Sequence, residues 1–379
     1  MKIALLCRNL HTAGGYVVGI NFVRSLAKVA PEHQFMIIAP VDAGYEKVNL
    51  PKGSDVYLYR GGSSRVKQWN FDRYEAPKVI DKFKPDIVFA LGTFGGLFSN
   101  SYKQAVLVDR PQLFYPSKHF KKETLRFKFE EAFLKIYFRR FLKYTQLVFC
   151  QTPVARDRFH RVFEYDLGSI KIMPNAVSEL VYAARSEISR PGVFSSDYFN
   201  MFFLTKFYAH KNLEVLIDVF RKYRDKLVNV RCIITIEAQQ HPNAEKFLKN
   251  IQKFNLQKYI VNVGPLKQNE IAEYFYNSDV LFFPTLLESF SGTYLEAMHF
   301  GVPILTSDLD FARYICGDAA LYFNPWQPAD IADKILKLKN NPDLKNELIQ
   351  NGANRRKTFV KTWEQVTTDA IKELEILGS

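Results

Sequence analysis

The chain has 379 residues, 47% of them hydrophobic, which suits two cores of ordinary size and leaves no low-complexity tract that would favour disorder. Its 52 basic residues against 39 acidic ones give a formal charge of +13. That excess calls for an anionic partner, either a phosphorylated substrate or an anionic membrane surface, and nucleic acid comes last because no nucleic-acid module is recognisable.

Taken in order, apolar runs predict strands at Lys2–Cys7, Gln34–Ile38, Asp55–Leu58, Asp86–Ala90, Gln104–Val108, Gln146–Cys150 and Ile170–Met173. None approaches the ~20 residues that span a bilayer, and Arg8 and Asn9 cut off the first run before it could act as a signal peptide. Helices are expected at Tyr16–Val29, near Phe71–Phe83, and from Thr152, a good N-cap with Pro153 at the first helical position. Such alternation predicts an α/β fold with a parallel, doubly wound sheet. Gly14 and Gly15, in the loop RNLHTAGG, are either a simple turn or a place where backbone approaches a phosphate or sugar. The third glycine of a dinucleotide fingerprint is missing, which disfavours NAD. A second loop, LGTFGG at 91–96, is equally a glycine turn or part of an acceptor site. Asp109, followed by Arg110 and Pro111, is an acceptor-side base or an ordinary turn former. From Lys118 to Lys143 basic residues recur among Phe, Leu, Ile and Tyr at helical spacing. One long amphipathic helix or two short ones would place aromatics in the core, or would attach the protein to anionic lipid.

A polar run to about Phe199 reads as a linker. The strand in MFFLTKF then leads to a basic loop holding Lys206 and Lys211, which either clamp a phosphate or are solvated, and to a helix starting near Lys211–Asn212. Strands at Val230–Ile236 and Tyr259–Val263 enclose a helix at Ala244–Phe254, and Gly264–Pro265–Leu266 precedes a short helix at Ile271–Asn277. Next come a buried strand (Val280–Phe283), a loop (Thr285–Gly292), a helix (Thr293–Phe300) and a strand (Val302–Leu305). Ser291, Gly292 and Thr293 supply N–H groups at that helix's N-terminus, suited to a diphosphate. A carboxylate would repel the phosphate, so Glu288 and Glu296 suit sugar or ribose hydroxyls, unless both are merely solvated. Beyond Ile315 a loop and strand in CGDAALYF and a helix from Pro328 follow. The final segment, Asp343–Leu377, reads as helix with a break near Gly352. Cys7, Cys150, Cys232 and Cys316 have no metal-binding spacing and read as reduced core residues of a cytosolic protein.

The strings ESFSGTYLEAM, GVPILTSD and CGDAALYFNPWQPADIADKI closely resemble the donor-binding half of retaining glycosyltransferases of the GT-B fold, family four (glycosyl transferases group 1). That resemblance implies two Rossmann-like domains facing a cleft, here 1–176 and 177–357, with 358–379 returning to the first domain and Trp363 pinning the last helix. It makes Glu288 and Glu296 the family's paired glutamates, the first on donor-sugar hydroxyls and the second on ribose. Phe290, Ser291, Gly292 and Thr293 would then line the donor, Leu266 the base, and Gly14–Gly15 the donor or acceptor. Lys211 stands where the family has its lysine on the diphosphate, while Lys206 replaces the usual arginine and loses its bidentate fork. Where relatives often have a histidine this chain has Asp109 and Arg110, with His119 ten residues on, so the acceptor chemistry departs from the family. The resemblance implies a nucleotide diphosphate sugar as co-substrate, no metal and no other cofactor, a glycan or lipid-linked acceptor, and a site at the cytoplasmic face of a membrane. Rival readings are a nucleotide-sugar epimerase or phosphorylase of the same superfold, or a non-catalytic nucleotide- or glycan-binding subunit.

Overall fold

The computed structural model describes residues 1–11, 13–61, 65–94, 96–120, 125–176, 191–359 and 361–379. Most of the expected linker therefore lies outside the described residues, as do Gly95 and 121–124 of the basic aromatic segment. Among the described residues one compact unit takes 1–116, 125–176 and 361–379, and a second takes 117–120 and 191–359.

The first unit is built on seven strands: β1 (Lys2–Leu6), β2 (Gln34–Pro40), β3 (Asp55–Tyr59), β4 (Ile87–Ala90), β5 (Lys103–Val108), β6 (Leu147–Cys150) and β7 (Ile170–Ile172). They lie in the order β3-β2-β1-β4-β5-β6-β7 with every pairing parallel. Ile87 to Ala90 and Leu147 to Cys150 are wholly buried, as strands covered by helices on both faces must be. The core joins Ile3, Leu5, Phe22, Leu26, Phe89 and Phe149 to Trp363, Val366, Ile371 and Leu374 of the last helix. That helix, Trp363–Gly378, starts with a capping box: the Thr362 hydroxyl accepts from Gln365 N–H, and the Gln365 side chain accepts from Thr362 N–H. The second unit has six strands, β8 (Phe199–Phe203), β9 (Val230–Ile234), β10 (Ile260–Asn262), β11 (Val280–Phe283), β12 (Ile304–Ser307) and β13 (Ala320–Phe323). Their order is β10-β9-β8-β11-β12-β13, again all parallel.

In each sheet the chain winds outward on one side, returns to the middle, and winds outward on the other. The reversal lies between β1 and β4 in the first sheet and between β8 and β11 in the second. Loops leaving the carboxyl ends of two such neighbours diverge, and the crevice between them is where open α/β sheets take ligands.

Several elements differ from the sequence reading. The first helix begins at Ala13, so Gly14 and Gly15 sit in its first turn rather than in a loop. The helix expected near Phe71–Phe83 is two pieces, a π-helical turn at Phe71–Glu75 and an α-helix at Ala76–Phe83, and an α-helix at Arg65–Asn70 precedes them. A helix at Asp310–Cys316 was not foreseen. Gly352 lies inside the helix Pro342–Lys357, where a Cβ would come 3.3 Å from Met298 Cγ; the glycine lets this helix lie close on its neighbour. The break comes later, between Lys357 and the Thr362 cap.

Candidate active site

The crevice of the second sheet is made by the loops after β8 and β11. The β8 loop is anchored by Thr205 N–H donating to Thr235 Oγ1 (2.9 Å) and Phe207 N–H donating to Gln240 Oε1 (2.9 Å). It ends in a short 3-10 turn, Ala209–Lys211, closed by Asn212 in the left-handed region (φ 58°) with its side-chain amide donating to the Pro325 carbonyl at 3.0 Å. One bond stitches it to the β11 loop: Leu286 N–H donates to the His210 carbonyl at 2.7 Å, with the Thr285 hydroxyl oxygen 3.3 Å from the same carbonyl. This stitching brings Lys211 and Glu288 together across 77 residues of chain. Lys211 Nζ donates to Glu288 Oε1 at 2.6 Å and lies 5.0 Å from the Phe283 ring centre, while Thr285 Oγ1 donates to the same carboxylate oxygen at 2.9 Å. Both ion-pair members are largely buried, with side chains 16% and 12% exposed, so the pair is shielded from water and each charge holds the other in place. Lys206, on the same loop, is exposed.

The helix Gly292–His299 rises from the end of the β11 loop. Ser291 precedes it in extended conformation and makes no side-chain cap bond, so its own hydroxyl does not cover the first N–H groups, which have no partner along the helix. A Cβ at Gly292 would meet nothing within 4 Å; no packing demands glycine there, and its smallness leaves room in front of the helix end. Tyr294, one residue past Thr293, is fully buried and bonds Thr306 Oγ1 at 2.8 Å, fixing the helix to the sheet. Glu296 is half-buried, and burial pushes its carboxyl up to about 7. Phe290 is buried, its ring edge-on to Phe359 at 6.4 Å. Leu266 is half-buried, in the loop after β10 where Gly264 has φ 77°.

His119 belongs to this second unit and not with Asp109 in the first. It is buried, and its Nδ1 is 2.6 Å from the Leu286 carbonyl. A carbonyl only accepts, so Nδ1 carries the proton. The ring stands edge-on to Trp326 at 6.0 Å. His119 thus braces the β11 loop two residues before Glu288.

In the first unit the corresponding crevice lies between the loops after β1 and β4. Asn9 Nδ2 donates to the Phe94 carbonyl at 3.1 Å, joining them. Asp109 Oδ1 accepts from Thr93 N–H (3.1 Å) and Thr93 Oγ1 (2.5 Å), which makes it a brace for the 91–96 loop. Arg110 is committed elsewhere: its guanidinium makes a two-point ion pair with the buried Glu131 and covers the Phe94 ring. Gly14 is exposed and Gly15 packs near Leu10. The pair the sequence reading missed is Arg8 with Asp72. Arg8, only 5% exposed, donates to Asp72 Oδ2 at 2.5 Å and to Asn9 Oδ1 at 2.9 Å. Burial lifts the Asp72 carboxyl to about 6 even against the pull of Arg8. The only metal-compatible cluster among the described residues is Glu32, His33 and Glu375.

Two parallel-sheet Rossmann-like units, with the last helix returned to the first of them, define the GT-B fold. Residues 184–355 match the model of glycosyl transferases group 1, a match that falls in the second unit. Among curated relatives, D-inositol 3-phosphate glycosyltransferase of Paenarthrobacter aurescens (strain TC1) is 23% identical over 239 residues, 59% of this chain and 56% of that one. The chain spans about half the length of that relative. Sucrose-phosphate synthase from Thermosynechococcus elongatus superposes with a TM-score of 0.77 at 14% identity, covering 100% of this chain and 99% of its own. Anabaena HepE, solved with UDP and glucose, gives 0.70 at 13% identity, covering 99% of each chain.

Proposed function

We propose that the chain is a retaining, metal-independent glycosyltransferase that moves a sugar from a nucleoside diphosphate sugar to a hydroxyl of a glycan or lipid-linked acceptor. The observation that carries this is the buried Lys211–Glu288 pair beside an uncapped helix N-terminus, with half-buried Glu296 one turn further in. A sugar nucleotide presents hydroxyls and a diphosphate side by side, and this site offers carboxylates and cations side by side. Glu288 accepts from donor-sugar hydroxyls and Glu296 from the ribose. Lys211, Lys206 and the N–H groups at Ser291, Gly292 and Thr293 meet the charge that grows on the diphosphate as its bond to the anomeric carbon breaks, which is where electrostatic catalysis acts most strongly. The acceptor oxygen forms its bond on the face the diphosphate leaves, and its proton passes to the departing phosphate oxygen. Configuration is retained. Four buried free cysteines, with Cys7 pushed up to about 12 by burial, fit a reducing compartment and hence the cytoplasm.

The test begins with thermal shifts against UDP, GDP, dTDP, ADP and CMP and their sugar conjugates. A ligand at ~100 times its dissociation constant adds about 2.7 kcal/mol of stability. UDP comes first, since it is the nucleotide bound by HepE. With the nucleotide found, Glu288→Ala is expected to abolish transfer while nucleotide binding survives, and Glu296→Ala to weaken nucleotide binding itself. Unchanged turnover in Glu288→Ala would sink the site assignment; binding without turnover in the native chain would make it a non-catalytic subunit.

A further inference from the structure

The helix Leu125–Phe141 is apolar on two opposite faces. One is explained: Phe138 and Phe141 are buried, and Glu131 is buried in its pair with Arg110. The other is not. Leu125, Phe129, Phe133 and Ile136 are 73%, 75%, 66% and 60% exposed. At 3.6 residues per turn they fall within an arc of about 80° and form one continuous blade. Of the twelve large hydrophobics exposed among the described residues, four stand in this row. Single exposed apolar residues need no explanation, but a contiguous row does.

Its flanks say what covers it. Exposed Arg139, which also donates to the Val162 carbonyl at 2.8 Å, borders the blade on one side and exposed Arg140 interrupts it near its end, while Glu131, facing inward, is paired with Arg110. A second copy of the same face would set these cations against their own kind. A sheet of anionic headgroups over an acyl layer matches both parts, long basic side chains reaching the charge while the apolar row goes deeper. An aromatic with a wet edge borders the same helix: Phe98, half in solvent, lies 4.8 Å from the Tyr137 ring.

We propose that this outward face docks on an anionic lipid surface, Leu125, Phe129, Phe133 and Ile136 entering the acyl boundary and the flanking cations resting among the headgroups. The helix lies along the surface; no helix among the described residues is long and apolar enough to cross a membrane.

Flotation of the full chain with vesicles tests this without any need for turnover, so it stands or falls separately from the transferase reading. The native chain is expected to float with phosphatidylcholine vesicles containing phosphatidylglycerol, and to be released from them as salt rises. Phe129→Ser combined with Phe133→Ser should lower the partition coefficient about a hundredfold, the loss of two buried aromatic side chains, with the melting temperature and nucleotide binding unchanged. Phe129→Trp should bind as the native chain does and show blue-shifted emission on anionic vesicles. The proposal is overturned if the native chain ignores anionic vesicles, if the double serine variant floats equally well, or if neutral vesicles capture it just as strongly. It is equally overturned if sedimentation shows a dimer that the serine variant abolishes, since the face would then be covered by a second copy.

Discussion

The ionisation of Glu296 is coupled to the fold by burial. Its carboxyl titrates near 7 when folded against an ordinary value of 4.5. Between those values the unfolded chain has lost the proton and the native one keeps it, so this group's contribution to stability falls as pH rises from about 4.5 to 7 and stays low above that. Glu296→Gln is therefore expected to melt like the native protein near pH 5 and higher than it at pH 8, by about 1–3 kcal/mol. Nucleotide affinity of the native chain should rise with pH through 7, because only the carboxylate accepts from both ribose hydroxyls, and the glutamine variant should lose that dependence. Arg110 makes the opposite case. Arg110→Ala leaves Glu131 buried without its partner, which costs about 3–5 kcal/mol; urea unfolding reads this directly, and its effect on transfer should follow only from lost stability. Lys211, Glu288 and Glu296 stand out as candidates in the sequence because a short local motif and a strand-to-helix loop carry them. Arg8 and Asp72 were not, since 64 residues separate them and only the folded first sheet brings them together.

At the scale of elements, the strands were the most legible, because both sheets are covered on two faces and their strands read as unbroken apolar runs. Helix ends were less so. The Phe71–Glu75 turn winds wider than an α-helix within a stretch whose apolar spacing looks continuous, and Gly352 looked like a terminator although its smallness serves a helix contact. Gly352→Val would drive its side chain into Met298 and part the two helices, an overpacking cost of about 1–3 kcal/mol. A lowered urea midpoint with an unchanged slope is the expected result. Since Met298 lies two residues from Glu296, weaker nucleotide binding should accompany it. The basic aromatic helix shows why pattern alone left two readings open. A row of aromatics at helical spacing does not say which way it points, and here there are two rows.

On the scale of the whole molecule, the first unit is assembled from segments far apart in the chain. The helix Ala13–Val29 and the helix Trp363–Gly378 share one core, with Lys28 paired to Glu364 and buried His33 bonded to Glu375 at 2.8 Å. Removing 361–379 is expected to unfold the first unit's outer layer while the second unit keeps its nucleotide-induced thermal shift. A dye that binds exposed apolar surface would report the first effect and the melting curve with nucleotide the second.

This interleaving also orders events on the ribosome. The helix at 13–29 emerges early, and the one that completes its core is made only after the entire second unit. At roughly 5–20 residues per second, translation of the intervening chain takes some tens of seconds. For that interval Phe22, Leu26 and their neighbours have no final cover. The second unit, whose core draws on nothing after 360, can close first, and the earlier-made half must wait for the last-made helix before it is finished.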